Sequence, residues 1–410
     1  MIRAPAVNSA RLQADLAALA EFRDPQQPGW TRTVFSREYL SSRQWVAARM
    51  RDAGLHVNQD TAGNLVGTLA AASPKALVAG SHTDTVPGGG RFDGPLGVLG
   101  AIEAARCVQE SGRPLRHELR VVDFLGEEPN EFGVSCVGSR AVAGTLTPEH
   151  LAARNPRGTT LAEAIESAGG DPRRIGESVW AGDDVSAFVE LHIEQGPVLE
   201  GEGILLGVVT GISGIERLRA TFDGQAGHAG TTPMGVRHDA LCSAADMVLA
   251  LERLASKGGG VGTAGKIEVL PGAANVIPGH VEVWCELRSI DPAWLDERRR
   301  LLEEAIVEGG RRRGVATRLE RVSRTEPVVT SESVRSAMAE AIANLGLRFA
   351  ALPSGAGHDA VQMARLAPVG MLFIPSAGGR SHCPEEWSAP EHVEAGAAAL
   401  LGTLLVLDAR

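Results

Sequence analysis

Four short apolar runs, each leading into a polar loop that carries a histidine or an acid, restrict this chain more than any other feature. They are residues 76–79 (ALVA), 119–125 (LRVVDFL), 187–191 (AFVEL) and 369–374 (VGMLFI). Runs this short and continuously apolar read as strands buried on both faces of a mostly parallel sheet. Residues 95–110 read as a long helix between the first two, and the alternation predicts an α/β layer structure. From residue 9 to about 56 the spacing predicts helices, broken near Asp24–Arg32 by a Gly/Pro/Thr-rich stretch.

The middle of the chain has a different rhythm. Residues 216–222 alternate as a strand, and 236–255 read as a helix. Residues 266–270 and 280–288 read as strands joined by a loop containing PGAANVIPG. Residues 292–309 form a charged helix with Pro292 in its first turn, where proline is tolerated, and 315–321 suit a last strand. The order β-α-β-β-α-β is that of a ferredoxin-like unit. The expected organisation is therefore a discontinuous α/β domain, 1–210 and 327–410, carrying an inserted α+β domain at 211–326. No internal repeat or low-complexity segment is apparent.

Composition narrows the functional classes. The chain has 410 residues, 44 % hydrophobic and 22 % charged, ordinary proportions for a globular protein. Its formal charge of −10 argues against a nucleic-acid or anionic-membrane partner. The five cysteines, Cys107, Cys136, Cys242, Cys285 and Cys383, are scattered and contain no CxxC pair, which fits a reducing cytosol. The N-terminal segment MIRAPAVNSARLQADLAALAEF reads as a charged amphipathic helix without a signal-peptide core. No apolar run looks close to the roughly 20 residues that span a bilayer. These features predict a cytoplasmic protein.

Ligands of an open α/β sheet gather at the carboxyl edge of its strands. The first run leads to Gly80-Ser81-His82-Thr83-Asp84, the second to Gly126-Glu127-Glu128, the third to His192-Ile193-Glu194-Gln195 and the fourth to Arg380-Ser381-His382-Cys383. Arg91-Phe92-Asp93-Gly94 precedes the helix at Pro95. Taken singly, each is an ordinary surface pair or core histidine; four of them at four predicted strand ends are not. Three histidines with several carboxylates suit zinc and tolerate manganese or cobalt. Two metals need a bridging carboxylate, for which Asp93 in its glycine-flanked loop is the natural candidate. Asp84 could orient His82 through the other ring nitrogen. The adjacent acids Glu127 and Glu128 offer one ligand and one free base.

The motifs GSHTDTVPGGGRFDGPLGV, FLGEEPNEFGVSCVGSRA, LHIEQGP, GHAGTTPM, SGAGHDA and RSHCPEEW occur in one order along the chain. Together they resemble the hydantoinase/carbamoylase family of amidases, within the aminoacylase-like two-metal hydrolases. The family includes N-carbamoyl-L-amino-acid hydrolases, allantoate amidohydrolases and metal-dependent β-ureidopropionases. The resemblance implies a two-metal exopeptidase-like catalytic domain with an inserted lid and dimerisation domain. It implies two divalent ions per subunit, zinc foremost, with manganese, cobalt or nickel as alternatives. His82 and His192 would bind one, Glu128 and His382 the other, with Asp93 bridging and Glu127 as base. Gln195, Arg217, His228, Asn275, Arg288 and the turn at Gly355–Gly357 match substrate-contact positions. Arg288 would grip a substrate carboxylate in bidentate fashion. His228, supplied by the partner subunit of a homodimer, would polarise the scissile carbonyl.

One departure is visible: relatives often follow the two acids with Gly, where this chain has Pro129-Asn130-Glu131-Phe132. His358-Asp359 reads as the cap of the next helix. The implied reaction is hydrolysis of an N-carbamoyl-L-amino acid to the amino acid, ammonia and carbon dioxide. Allantoate hydrolysis is the nearest rival, followed by dipeptidase or aminoacylase activity and by a catalytically silent metal-binding relative.

Overall fold

Three consecutive parallel pairings build the centre of the main sheet. Its four strands are β1 (Ser73–His82), β2 (His117–Phe124), β3 (Val185–Ile193) and β4 (Val369–Ile374), adjacent in the order β2-β1-β3-β4. These are the four apolar runs, and continuous burial explains their composition: all six residues of β4 and the last seven of β1 are buried. Antiparallel strands extend both edges. Leu65–Leu69 and then His56–Gln59 lie beyond β2, while Leu206–Ile212 lies beyond β4 and also pairs with Phe349–Ser354.

The computed structural model describes residues 6–410, which form two compact units. The first runs to Thr210 and resumes over Thr330–Arg410; the second is Gly211–Val329. The opening five residues, part of the segment read as an amphipathic helix, lie outside the described residues. That helix occupies Ser9–Ala20, capped by the Asn8 side chain.

In the first unit, helices α1 (Pro95–Ser111) and α2 (Pro390–Ala409) share one apolar core with the sheet, through Leu96, Leu99 and Ile102 of α1 and Leu400, Leu401 and Leu404 of α2. Each such buried side chain contributes about 1.5–3 kcal/mol. α1 starts at Pro95, whose missing N–H would be unpaired in a first turn anyway, and stops at Gly112 in the left-handed region (φ +64°). α2 corrects the expectation that no apolar run approaches membrane-spanning length. It has 20 residues at a mean hydropathy of 1.4, long and apolar enough by composition alone. Most of it is buried inside the protein, packed on α1 and on the helix Glu332–Asn344.

The second unit is a four-stranded antiparallel sheet. In chain order its strands are Gly214–Asp223, Val261–Leu270, His280–Ser289 and Ala316–Thr325, and their spatial order is fourth, first, third, second, that of a ferredoxin-like fold. Helices Ala240–Ala255 and Pro292–Arg313 cover one face. Period-two alternation in His280–Ser289 sends Val281, Val283, Cys285 and Leu287 into that core. Glu286 and Arg288 therefore stand on the opposite face.

Candidate metal centre

Because β1 to β4 are parallel, their carboxyl ends lie along one edge. β1 ends on His82 itself, and His192 is the penultimate residue of β3, in register with Phe373 of β4. After β2 the chain turns through Gly126 (φ +61°) into Glu127 and Glu128. Asp93 is held in the loop before α1. Gly94 follows it at φ +82°, and any Cβ there would overlap the His82 ring. The loop after β4 delivers His382, itself in the left-handed region (φ +55°).

These side chains converge on the Asp93 carboxylate. Its Oδ1 lies 3.1 Å from His192 Nε2 and 3.7 Å from His82 Nε2. Its Oδ2 lies 3.2 Å from His382 Nε2, which stands 3.4 Å from Glu128 Oε1. Two overlapping triads result, His82–Asp93–His192 and Asp93–Glu128–His382, each with donor atoms close enough for one ion. Glu127 Oε2 approaches His82 Nε2 at 3.8 Å, while its Oε1 accepts a long hydrogen bond from the Cys136 thiol at 3.4 Å.

The donor set fits divalent ions. His82 Nδ1 lies 3.1 Å from the Asp84 carbonyl and His192 Nδ1 lies 2.9 Å from the Ile193 carbonyl. A ring nitrogen facing a carbonyl carries a proton, so it is each Nε2 that is left to take a second proton or an ion beside a carboxylate oxygen. Two lone pairs at 3–4 Å repel unless a proton or a metal ion lies between them. Five residues offering N and O donors over two triads suit zinc and tolerate manganese or cobalt.

Electrostatics follow from burial. Removal from water, reinforced by the carboxylates of Glu128, Asp84 and Asp93, pushes the Glu127 carboxyl up to about 8 against the pull of His82. Burial raises Glu128 as well, with Asp93 adding to it. Asp93 goes the other way: burial opposes the charged form, but His192, His382 and His82 hold its carboxyl well below the usual range. His192 answers, raised to about 9 by Asp93 despite burial.

The remaining residues separate by unit. In the first, Asp84 accepts the backbone N–H groups of Glu127 and Glu128, both at 3.2 Å. Gln195, at φ +59°, donates its amide to Asp93 Oδ2 at 2.6 Å, and its buried Oε1 has no hydrogen-bond partner. A Cβ added at Gly357 would face open space. A cavity of about 670 Å³ opens beside Asp84 and Glu128, walled by Val34, Phe35, Pro87 and Pro129.

In the second unit, Arg217 and Glu286 are register partners 3.5 Å apart, and Glu286 also engages Arg288 through Nε (2.7 Å) and Nη2 (2.6 Å). His228 and Asn275 meet on a short ribbon, where Val276 pairs with His228 and the Asn275 carbonyl accepts from Ala229 at 3.0 Å. His228 is exposed, and its Nδ1 accepts the N–H groups of Gly230 and Thr231 at 3.0 and 3.2 Å. Its proton therefore sits on Nε2, as an outward donor.

Sequence reading misplaced one pair and missed others. Asp359 does not cap the following helix. It sits in the right-handed helical region (φ −57°, ψ −30°), where its side chain cannot reach back to the first turn, and it accepts from Ser139 Oγ at 2.5 Å instead. His358 is buried against His192, ring centroids 4.7 Å apart, and bonds Ser354 Oγ at 2.7 Å. Glu190, unnoticed inside an apolar run, accepts from Ser81 Oγ at 2.7 Å beneath the site. Ser381 and Glu386 flank His382 and were also missed, although RSHCPEEW contains both.

Comparison with known proteins places these features. The profile of the peptidase family M20/M25/M40 matches residues 78–406. An N-carbamoyl-L-amino acid amidohydrolase of Geobacillus stearothermophilus is 41 % identical over 401 residues, 97 % of this chain and 98 % of that one. An allantoate amidohydrolase of Bacillus subtilis is 34 % identical over 95 % of each chain. A crystal structure of a hydantoinase/carbamoylase family amidase from Burkholderia multivorans superposes with a TM-score of 0.92, at 34 % identity over 99 % of both chains.

Proposed function

From the membership of this chain in the peptidase family M20/M25/M40, among its hydantoinase/carbamoylase amidases, we propose that it hydrolyses N-carbamoyl-L-amino acids at a two-metal centre. The observation that carries this reading is the convergence of three imidazoles and the Glu128 carboxylate on Asp93. His82 and His192 would hold one ion, Glu128 and His382 the other, with Asp93 between. When bound, the ions lend Lewis acidity to the ureido carbonyl and to the attacking water.

The protein's own groups supply the rest. Glu127 takes the proton of the attacking water and delivers it to the departing amino-acid nitrogen. Water adds to the carbamoyl carbon, the bond to that nitrogen breaks, and the carbamate released falls to ammonia and carbon dioxide. The unpaired Oε1 of Gln195 suits a ureido N–H. His228 donates from Nε2 to the carbonyl oxygen as charge develops. Arg288, assisted by Arg217 and Asn275, receives the α-carboxylate. A homodimer in which His228 acts across subunits completes the proposal. The five unpaired cysteines support a reducing, cytoplasmic setting.

A second reading, allantoate hydrolysis, uses the same machinery and is favoured by the Bacillus subtilis relative. The test is a panel of N-carbamoyl-L-amino acids, allantoate, acyl amino acids and dipeptides, run after chelation and after zinc or manganese return. Turnover of carbamoyl amino acids that disappears with the metal is expected. Preferred cleavage of allantoate would install the second reading, and cleavage of peptides alone would remove both.

A further inference from the structure

The Asp93 carboxylate is held by more than its imidazoles. Glu386, 2 % exposed, turns Oε1 towards the backbone N–H groups of Phe92 (2.8 Å) and Asp93 (3.1 Å). Its Oε2 lies 2.9 Å from Ser381 Oγ, and the same hydroxyl lies 2.8 Å from Asp93 Oδ2. One carboxylate thus grips the backbone and, through a serine, the side chain of the residue on which both triads depend. It also ties the loop carrying His382 to the loop carrying Asp93. Aromatic contacts close the junction: Phe92 packs edge-on against Trp387 at 5.5 Å, and Arg91 lies over the Trp387 ring at 4.5 Å. The clamp has its own steric requirement, since a Cβ at Gly90 would overlap the Glu386 carboxylate.

We infer that Glu386 is a positioning residue that sets the bridging geometry of Asp93 and the placement of His382, acting through hydrogen bonds rather than through its charge. Ser381 carries a single hydroxyl proton, which two ionised carboxylates, Asp93 and Glu386, must share by turns. A glutamine at 386 would resolve this: its oxygen accepts both backbone N–H groups, its amide donates to Ser381, and Ser381 donates to Asp93. His382 needs such a restraint, because it occupies the left-handed region at φ +55° with its side chain 46 % exposed.

The inference rests on the metal-centre reading, and its test is zinc affinity by chelator competition, with kcat and KM on a ureido acid alongside. Glu386→Ala and Ser381→Ala should weaken zinc binding by about 10- to 100-fold, the range for lost supports of metal ligands. They should lower kcat with KM little changed. Gly90→Ala, which leaves Glu386 in place but displaces its carboxylate, should reproduce the loss, and thermal midpoints will separate it from unfolding. Glu386→Gln should restore most of the affinity and turnover. Glu386→Ala and Gly90→Ala with wild-type zinc affinity would overturn the inference, as would a Glu386→Gln variant as impaired as the alanine. A wild type that binds zinc yet cleaves no ureido acid would sink the substrate reading alone. A wild type that binds no zinc would sink both.

Discussion

Replacing Asp84 with asparagine tests whether Glu127, the proposed base, is placed by the backbone beneath it. Asp84 is wholly buried, and its oxygens divide their work: Oδ1 accepts from Glu127 N–H and Oδ2 from Glu128 N–H, both at 3.2 Å. Oδ1 also lies 3.5 Å from His82 Nδ1. An asparagine fits the space but turns one acceptor into a donor. Whichever way the amide is flipped, its NH₂ faces a backbone N–H. One hydrogen bond to an ionised acceptor is lost, worth about 1.5–3 kcal/mol. At about 1.4 kcal/mol per tenfold in rate, that is about 10- to 150-fold in kcat if the loss falls on placement of Glu127. Steady-state kinetics on the preferred ureido acid should show this drop with KM nearly constant, and chelator competition should show weaker zinc binding through Glu128 and His82. His82 keeps its hydrogen bond to the Asp84 carbonyl, so its tautomer survives and the metal site should not collapse. An Asp84→Asn enzyme with unchanged kcat and unchanged zinc affinity would refute the view that this carboxylate positions the base.

Glu127→Gln should cut turnover by about 10²- to 10⁴-fold, the usual worth of a general base, while metal analysis finds the ions retained; an enzyme that keeps most of its activity has its base elsewhere. With Arg288 as the proposed anchor of the α-carboxylate, Arg288→Lys keeps the charge but loses the planar fork, so kcat/KM for carbamoyl amino acids should fall by roughly tenfold or more, with a smaller effect on the corresponding carboxamides. Leu400, fully buried in α2, should cost about 2–5 kcal/mol on truncation to alanine, read by denaturant unfolding. His358 carries a pH dependence. Burial first, then His192, holds its pKa well below the ordinary 6.5, with Asp93 opposing. Below that value the unfolded chain takes up a proton that the folded chain refuses, so stability should decline as pH falls from 6.5. His358→Asn should flatten that slope in chemical denaturation.

Parts of this molecule were legible because a single physical demand fixed both sequence and structure. A strand buried on both faces can carry only apolar residues, so β1 to β4 announce themselves, and whatever ends them must meet at one edge. His82, Glu127, Glu128 and His192 were findable for that reason. The antiparallel edge strands were not: Leu65–Leu69 and Leu206–Ile212 are laced with glycine, and their partners are chosen by tertiary contact rather than by pattern. α2 failed in the opposite sense. Its apolar stretch is interrupted by small residues that let it lie against α1 and the sheet, so it reads as modest in sequence yet reaches the length and hydropathy of a membrane span.

The supports of the site were harder to read than its candidate ligands, and the reason is geometric. A ligand at a strand end inherits its position from the strand. A support such as Glu386 or Asp359 inherits its position from a loop or a short helix, where one backbone angle decides which way the side chain points. Asp359 stands directly before a helix, as a cap would, but its right-handed conformation aims the carboxylate at Ser139. Glu386 lies four residues beyond His382 in a loop without period, and only the loop's path returns it to the backbone of Phe92 and Asp93. Glu190 hides differently, as one acid in an apolar run, tolerated because Ser81 Oγ and the Ala360 N–H satisfy both of its oxygens. Chemistry at such a centre is thus written locally, while its precision is assembled from distant segments; variants at the supports should therefore alter metal affinity and kcat without touching a single ligand.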